Sequence, residues 1–544
     1  MRRPLLTVCV ITRDEEDTLE RCLVSVKDVA DRLVVVDTGS TDGTEQIATR
    51  LGASVFRRLW DDDFSAARNH AIEQARTPWI LMVDADELVT DVDTHDLRAR
   101  LTAAAGDGGD HAFAIRIDNE TDTGSVAPFF AVRLFRNHRR IRYRGRIHEE
   151  VTSSLAEWRG APVSPPVAPL VLRHDGYLSR RRLGGGKRER NLRLLTRAVE
   201  RDSRQALVRF ALARELLLVC GERIFPGENF GRALTALQQA HDRVGREEVP
   251  PHLVSAIDTT LAAALVADAR PAMAIDLLRG SPVGRRVGRH DVPAACARRD
   301  FVLARAMLAA AGEDRAALEA AAECFAALIG GHITPGFVDV DARVCSVFAM
   351  EREAEALGRM GRVGEAFRRL DAAEAQAGAY AGPQVRRAEL HLLGGQTRDG
   401  FAAYQAALET DAHDPEAWLG VARVLRFLGE SEAEVNALDN ALNLVPLWTD
   451  AILQKSILRF LQDRPDDVMS DWSVHREISV AADVVCLVAE VLAGRPVTGL
   501  CGWRKDAISR SLLCITAGLA AGKRSDLLER LKAPAGPSSA AARA

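Results

Sequence analysis

The chain reads as two parts: an α/β domain built on a doubly wound, mostly parallel sheet, followed by an all-α domain of helical repeats. Three observations predict this. From residue 5 to about Asp118, short apolar runs alternate with helix-period segments, as strand–helix–strand units do. Beyond Asn191 almost everything is alanine- and leucine-rich with helical spacing. That later region also repeats itself at about 34 residues, Gly395, Tyr404 and Ala407 standing opposite Gly429, Leu438 and Ala441.

The elements follow in order. LLTVCVIT is the first strand, and DEEDTLERCLVSVKDVA a helix with Leu19, Leu23 and Val26 on one face. LVVVD is the second strand, and DGTEQIATRLG a helix opened by Asp42 and closed by Gly52. ASVFRR, DDFSAARNHAIEQA and WILMVD supply a third strand, a third helix and a fourth strand. Ligands of such sheets bind at the carboxyl ends of the strands, and Asp37 and Asp84 stand there. After Asp118, PFFAVRLFRN and IRYRGRIHEEV read as irregular strands or a strand-to-helix turn, residues 161–169 as a proline-rich loop, and VLRHDGY as a short strand ending at His174. The basic, glycine-rich stretch 179–191 marks a boundary, giving domains 1–190 and 191–530 and a disordered tail 531–544. Within the second domain, Trp418, Gly429, Leu438, Ala441 and Pro446 follow the tetratricopeptide pattern.

Composition narrows the function. A length of 544 residues calls for more than one core, and 47% hydrophobic with 27% charged residues describes a folded globular chain. A net charge of −4, from 72 basic and 76 acidic residues, gives no general attraction to nucleic acid or an anionic membrane. Nine cysteines without a CxxC pair argue against a zinc or disulfide framework and for a reducing, cytoplasmic setting. No apolar run reaches the roughly 18 residues of a membrane helix, and the short stretch after Arg3 is a poor signal peptide.

The chemistry concentrates where WILMVDADE ends a buried strand in three carboxylates. Asp84 and Asp86 flank one small residue, so both side chains can face a common cleft. Desolvated like charges are costly unless a cation or hydrogen-bond donors satisfy them, and a hard divalent cation bridging two phosphates does so.

The segments VCVITRDEEDTLERCL, VVVDTGSTDGT, FSAARNHAIEQARTPWILMVDADE, and RLFRN with YRGRIHEEV occur in this order over residues 4 to about 178. Together they resemble the family 2 glycosyltransferases of GT-A fold, and within them the members joined to tetratricopeptide repeats, a group that includes the S-glycosyltransferases of glycocin peptides. Lipopolysaccharide-core glucosyltransferases are a more distant likeness. The resemblance implies that Asp37 accepts the uracil imino hydrogen and that Thr12, Arg13 and Glu15 line the nucleotide pocket, although Arg13-Asp14 replaces the family's common Asn. It implies that Asp84 contacts ribose or a metal-bound water, and that Asp86 ligates Mg²⁺ or Mn²⁺ with His174 or, alternatively, His148. Arg68 would meet the diphosphate, hold Asp84, or form a plain surface ion pair; Asn69 is a weaker candidate. Glu149 would be the catalytic base, with Glu150 a helix-start acid or the alternative base.

The expected function is a metal-dependent inverting transfer from a UDP-sugar to a peptide or protein acceptor, the repeats binding that acceptor or forming a homodimer. A cell-envelope saccharide or lipid-linked acceptor is the alternative, and a non-catalytic repeat scaffold the third reading. A sugar-nucleotide pyrophosphorylase is disfavoured because VCVITRDEE lacks the glycine-rich loop.

Overall fold

The structure, a computed structural model, describes residues 4–104, 110–120, 126–160, 165–174, 186–201, 204–220, 223–247, 249–281, 291–337, 340–496 and 505–532. The strands of the first domain are β1 (Leu6–Thr12), β2 (Arg32–Asp37), β3 (Ser54–Arg57), β4 (Trp79–Asp84), β5 (Glu87–Val92), β6 (Ala112–Glu120), β7 (Val126–Arg136) and β8 (Val167–His174). Its helices are α1 (Leu19–Ser25), α2 (Thr44–Arg50), α3 (Phe64–Gln74), α4 (Thr94–Ala103) and α5 (Thr152–Arg159). All eight strands join one sheet in the order β3-β2-β1-β4-β7-β6-β8-β5.

The near-continuous apolar runs of β1, β2 and β4 are central because both their faces are covered. On one face Leu19, Leu23, Ala48, Leu97 and Leu101 pack against Val8, Val10, Val35, Leu81 and Val83. On the other, Ala71, Ile72 and Leu155 pack against Cys9, Val34, Val36, Ile80 and Met82. The strands β3, β2, β1 and β4 are parallel, which aligns the carboxyl ends of β1, β2 and β4 along one edge.

Past β4 the sheet is mixed. β7 runs antiparallel to both β4 and β6, β6 and β8 are parallel, and β5 runs antiparallel to β8. Three elements between residues 86 and 120, namely β5, α4 and β6, were not resolved by pattern alone. ELVTDV is an edge strand with one half-covered face, so its periodicity is weak. The proline-rich stretch is shorter than expected, because β8 already begins at Val167. Pro169 is tolerated where the β6–β8 register shifts between Ala114 and Arg116. IRYRGRIHEEV is no strand but a loop clipped at its ends by the bridge of Arg144 with Glu150, ahead of α5.

Helix α6 (Gly186–Arg201) runs across the 190/191 boundary and packs Leu194, Leu195 and Ala198 against Ile147 of the first domain. After α7 (Gln205–Leu216) and a short hairpin, Leu218–Cys220 with Arg223–Phe225, the chain is almost wholly paired helices. Gly361, Gly395 and Gly429 turn successive pairs with φ of 78°, 75° and 80°, so the repeat register extends one copy upstream of the sequence match. Residues 531–532 end the helix Ser525–Lys532; the expected tail from 533 onward, like residues 179–185, lies outside the described residues.

Candidate active site

The strand ends place two neighbouring oxygens first. Thr12 and Asp37 are paired across β1 and β2. Asp37 is 3% exposed; its Oδ1 accepts the N–H groups of Gly39 (2.7 Å) and Ser40 (2.8 Å), an Asx turn that closes the strand. Asp37 Oδ2 and Thr12 Oγ1 are both buried without a hydrogen-bond partner. Both lie at the carboxyl ends of their strands, the edge at which ligands of such sheets bind, so a donor group there would find two acceptors side by side. Arg13 is half exposed beside Asp14, at 3.7 Å. Glu15 accepts the Thr18 hydroxyl at 2.7 Å, and its own N–H donates to Thr44 Oγ1, tying the first loop to α2.

Next along the edge is a buried charge network. Arg68, 5% exposed, donates from Nη2 to Asp84 Oδ1 (2.7 Å) and from Nε to Glu149 Oε1 (2.6 Å). Its guanidinium lies over the Tyr143 ring, 5.3 Å from the centroid. Arg133 of β7 donates to Asp84 Oδ2 (2.9 Å) and stands 3.6 Å from Glu87, whose other oxygen accepts the Asp84 N–H (2.8 Å). Burial would raise the Asp84 carboxyl's pKa, yet Arg133 and Arg68 hold it well below the usual range. For Glu87, burial and the neighbouring Asp84 charge push the pKa up.

The pairing of β5 with β8 sets Glu87 opposite His174, which carries that ring to the Asp84–Asp86 turn. His174 Nε2 is 3.5 Å from Asp86 Oδ1, and its Nδ1 lies 3.1 Å from Asn119 Oδ1, a contact that orients the ring. Burial would lower the imidazole pKa; Asp86, with Glu87 and Asp84 beyond, outweighs it and raises it. His148 stands elsewhere. Its side chain is exposed, with Arg214 and Arg204 of the helical region close by. Among the described residues no group of three or more His, Cys, Asp and Glu side chains is arranged as a metal centre.

Thus the structure brings Arg68, Asp84 and Glu149 into one network and Asp86 and His174 into a pair beside it. Glu150 is turned to another task, its carboxylate accepting the Ser153 N–H (2.8 Å) and hydroxyl (2.5 Å) at the start of α5. Asn69 clamps the backbone of Tyr143 from both sides, at 3.0 and 2.9 Å. Arg133 and Asn119 were missed by sequence reasoning, and Glu87, the third carboxylate of WILMVDADE, was given no role. Arg133 did leave a signal: an arginine inside the apolar run FFAVRLF needs a buried carboxylate partner.

Residues 7–147 match the model of Glycosyl transferase family 2, so the α/β domain is a family 2 glycosyltransferase domain. The chain is 43% identical over 180 residues to a TPR repeat-containing protein of Synechococcus elongatus, covering 32% of this chain and 42% of that one. It is 27% identical over 218 residues to the prophage-derived glycosyltransferase SunS of Bacillus subtilis, covering 40% of this chain and 50% of the relative. It therefore spans about half the length of these curated relatives or less. Among solved structures, S. aureus TarS aligns over 53% of this chain and 56% of its own with 17% identity and a TM-score of 0.27, a likeness too low for any argument from its function. No helix among the described residues is long and apolar enough to cross a membrane.

Proposed function

We propose that this chain is a metal-dependent, inverting glycosyltransferase that moves a sugar from a UDP-sugar to a peptide or protein acceptor. The observation that carries the reading is the sequence of groups along one sheet edge: orphaned Asp37 Oδ2 and Thr12 Oγ1, then Asp84 between two arginines, then Glu149, with Asp86 and His174 alongside. A uracil N3–H is a donor that Asp37 Oδ2 would accept, while Thr12 and the first loop border the base. Arg68 and Arg133 fix the Asp84 carboxylate as an acceptor beside the nucleotide's sugar and phosphates.

One carboxylate oxygen and one imidazole nitrogen suit Mn²⁺ or Mg²⁺ as part of a donor set completed by diphosphate and water. Asp86 and His174 would hold the ion, which supplies Lewis-acid neutralisation of the departing diphosphate. Glu149 removes the acceptor proton as the nucleophile bonds to the anomeric carbon and the bond to the diphosphate oxygen breaks on the opposite face, inverting that centre. A peptide acceptor is supported by the repeats themselves, since stacked helix pairs present surfaces suited to extended peptides and α6 packs against the loop that ends at Glu149.

The test is UDP release from a panel of UDP-sugars with Mn²⁺, Mg²⁺ or EDTA. One donor should turn over, with turnover lost in EDTA and in Asp86→Ala. Undiminished turnover by that variant would remove the metal assignment. Glu149→Gln should bind the donor and fail in transfer; near-normal transfer would place the base elsewhere.

A further inference from the structure

The loop ending at Glu149 is held by parts of both domains. From the first domain, the Arg144 and Glu150 backbones exchange hydrogen bonds at 2.9 and 3.1 Å, and the Phe64 N–H donates to Arg146 O at 2.9 Å. Between these ties, His148 adopts a left-handed backbone with φ of 50°. For a residue with a β-carbon this conformation is unfavourable and persists only where the surroundings impose it.

The helical region supplies that imposition. Ile147 is buried with Leu194, Leu195 and Ala198 of α6 and Val208 and Ala211 of α7. Arg204, just ahead of α7, donates from Nη1 to His148 O at 3.2 Å. Its guanidinium also covers Gly145, whose φ is +95° and whose missing β-carbon leaves the space it fills. The residue after His148 is Glu149, delivered to Arg68 Nε at 2.6 Å.

We propose that the start of the helical domain is a structural part of the catalytic centre, and that Arg204 is a positioning residue which, by holding His148 O and covering Gly145, fixes the direction of Glu149. This rests on the transfer reading above. It gives the repeats a duty besides acceptor binding: they set the geometry of the base loop, so that movement of α6 and α7 is felt directly at Glu149.

The experiment compares full-length protein with Arg204→Ala, Arg204→Lys and, as a control, Arg209→Ala, which removes a nearby surface contact to Gln239. Two quantities are read: amide hydrogen exchange of residues 145–150, and kcat against donor KM. Arg204→Ala should speed exchange in this loop and lower kcat about 10- to 100-fold with donor KM little changed, as misplacement of a reacting group does. Arg204→Lys should restore part of both, and Arg209→Ala should change neither. Unaltered loop exchange in Arg204→Ala overturns the proposal, as does faster exchange with an unaltered kcat. Should the wild-type protein transfer no sugar, the transfer reading fails by itself, and the exchange arm still decides whether Arg204 holds the loop.

Discussion

At the scale of single residues, Asp37 and Arg68 teach different things about what a sequence discloses. Asp37 ends an apolar strand before TGSTDG, a setting that advertises a turn and a ligand edge together. Its Oδ1 serves the turn and its buried Oδ2 has no partner. Asp37→Asn can keep the Asx turn through its carbonyl oxygen but must set an amide donor where an acceptor stood. A charge-assisted hydrogen bond contributes about 1.5–3 kcal/mol, so UDP affinity should fall about 10- to 100-fold, measured by calorimetry. An unchanged affinity would place the base elsewhere. For Arg68 the sequence left three roles open, meeting the diphosphate, holding Asp84 or forming a plain surface ion pair. Its link to Glu149 joins residues 81 positions apart in the chain, which no local pattern encodes, and its burial is what separates it from a surface ion pair.

At the scale of elements, local periodicity revealed what is amphipathic or continuously apolar and missed what is held from outside. β1, β2 and β4 were legible because their burial on both faces is written as runs of Val, Ile and Leu. β5 was not, since an edge strand obtains its order from pairing with β8. The helix pairs were legible through small residues at fixed spacing, and Gly420 gives that spacing a physical meaning. A β-carbon there would overlap the ring of Tyr404, a fully buried side chain. In a free helix Gly→Ala gains about 1 kcal/mol. Here Gly420→Ala should instead cost about 1–3 kcal/mol in chemical denaturation through overpacking, and a gain would show that the ring moves freely.

A second pair of elements is joined by a titrating contact. His241 Nδ1, on the helix Phe230–Val244, meets Asp258 Oδ1 on Pro251–Ala267 at 2.8 Å, while Ser281 donates to the other Asp258 oxygen. That hydrogen bond raises the His241 pKa. The folded protein then holds the proton more tightly than the unfolded chain. The contribution is full below the unfolded value of about 6.5 and is lost as pH rises through the raised folded value. His241→Gln should therefore lower Tm more at about pH 5.5 than at about pH 8.5, by a small amount because the ring is partly solvated. Equal shifts at both pH values would mean that the pair does not titrate in this range.

At the scale of the whole molecule, stacked repeats normally touch only their neighbours, so their cooperativity decays along the array. The hairpin after α7 breaks that rule by reaching repeats nearly two hundred positions away. Arg223, 3% exposed, donates to Asp414 Oδ2 (2.6 Å) and Glu416 Oε2 (2.8 Å), and its guanidinium lies over Tyr380. Phe225 meets Trp448 edge-on at 5.3 Å, and the Glu228 N–H donates to Pro446 O at 2.9 Å. Arg386 also pairs with Glu416 and with Glu351, so the carboxylates at this junction depend on two arginines from distant segments. Burial would raise the Glu416 pKa, but Arg386 and Arg223 hold it well below the ordinary range. Removing Arg223 would leave Asp414, itself 1% exposed, as a buried charge without that compensation. Breaking one side of such a pair costs about 3–5 kcal/mol. Arg223→Met, which keeps side-chain bulk, should therefore lower the thermal midpoint by several degrees. It should also split unfolding, with repeats 380–450 melting before the helices around 205–267, because the strap joining them has lost its anchor. Calorimetry with hydrogen exchange resolved by segment would read both effects. A single transition at the wild-type midpoint would show that the hairpin rests on the repeats without coupling them.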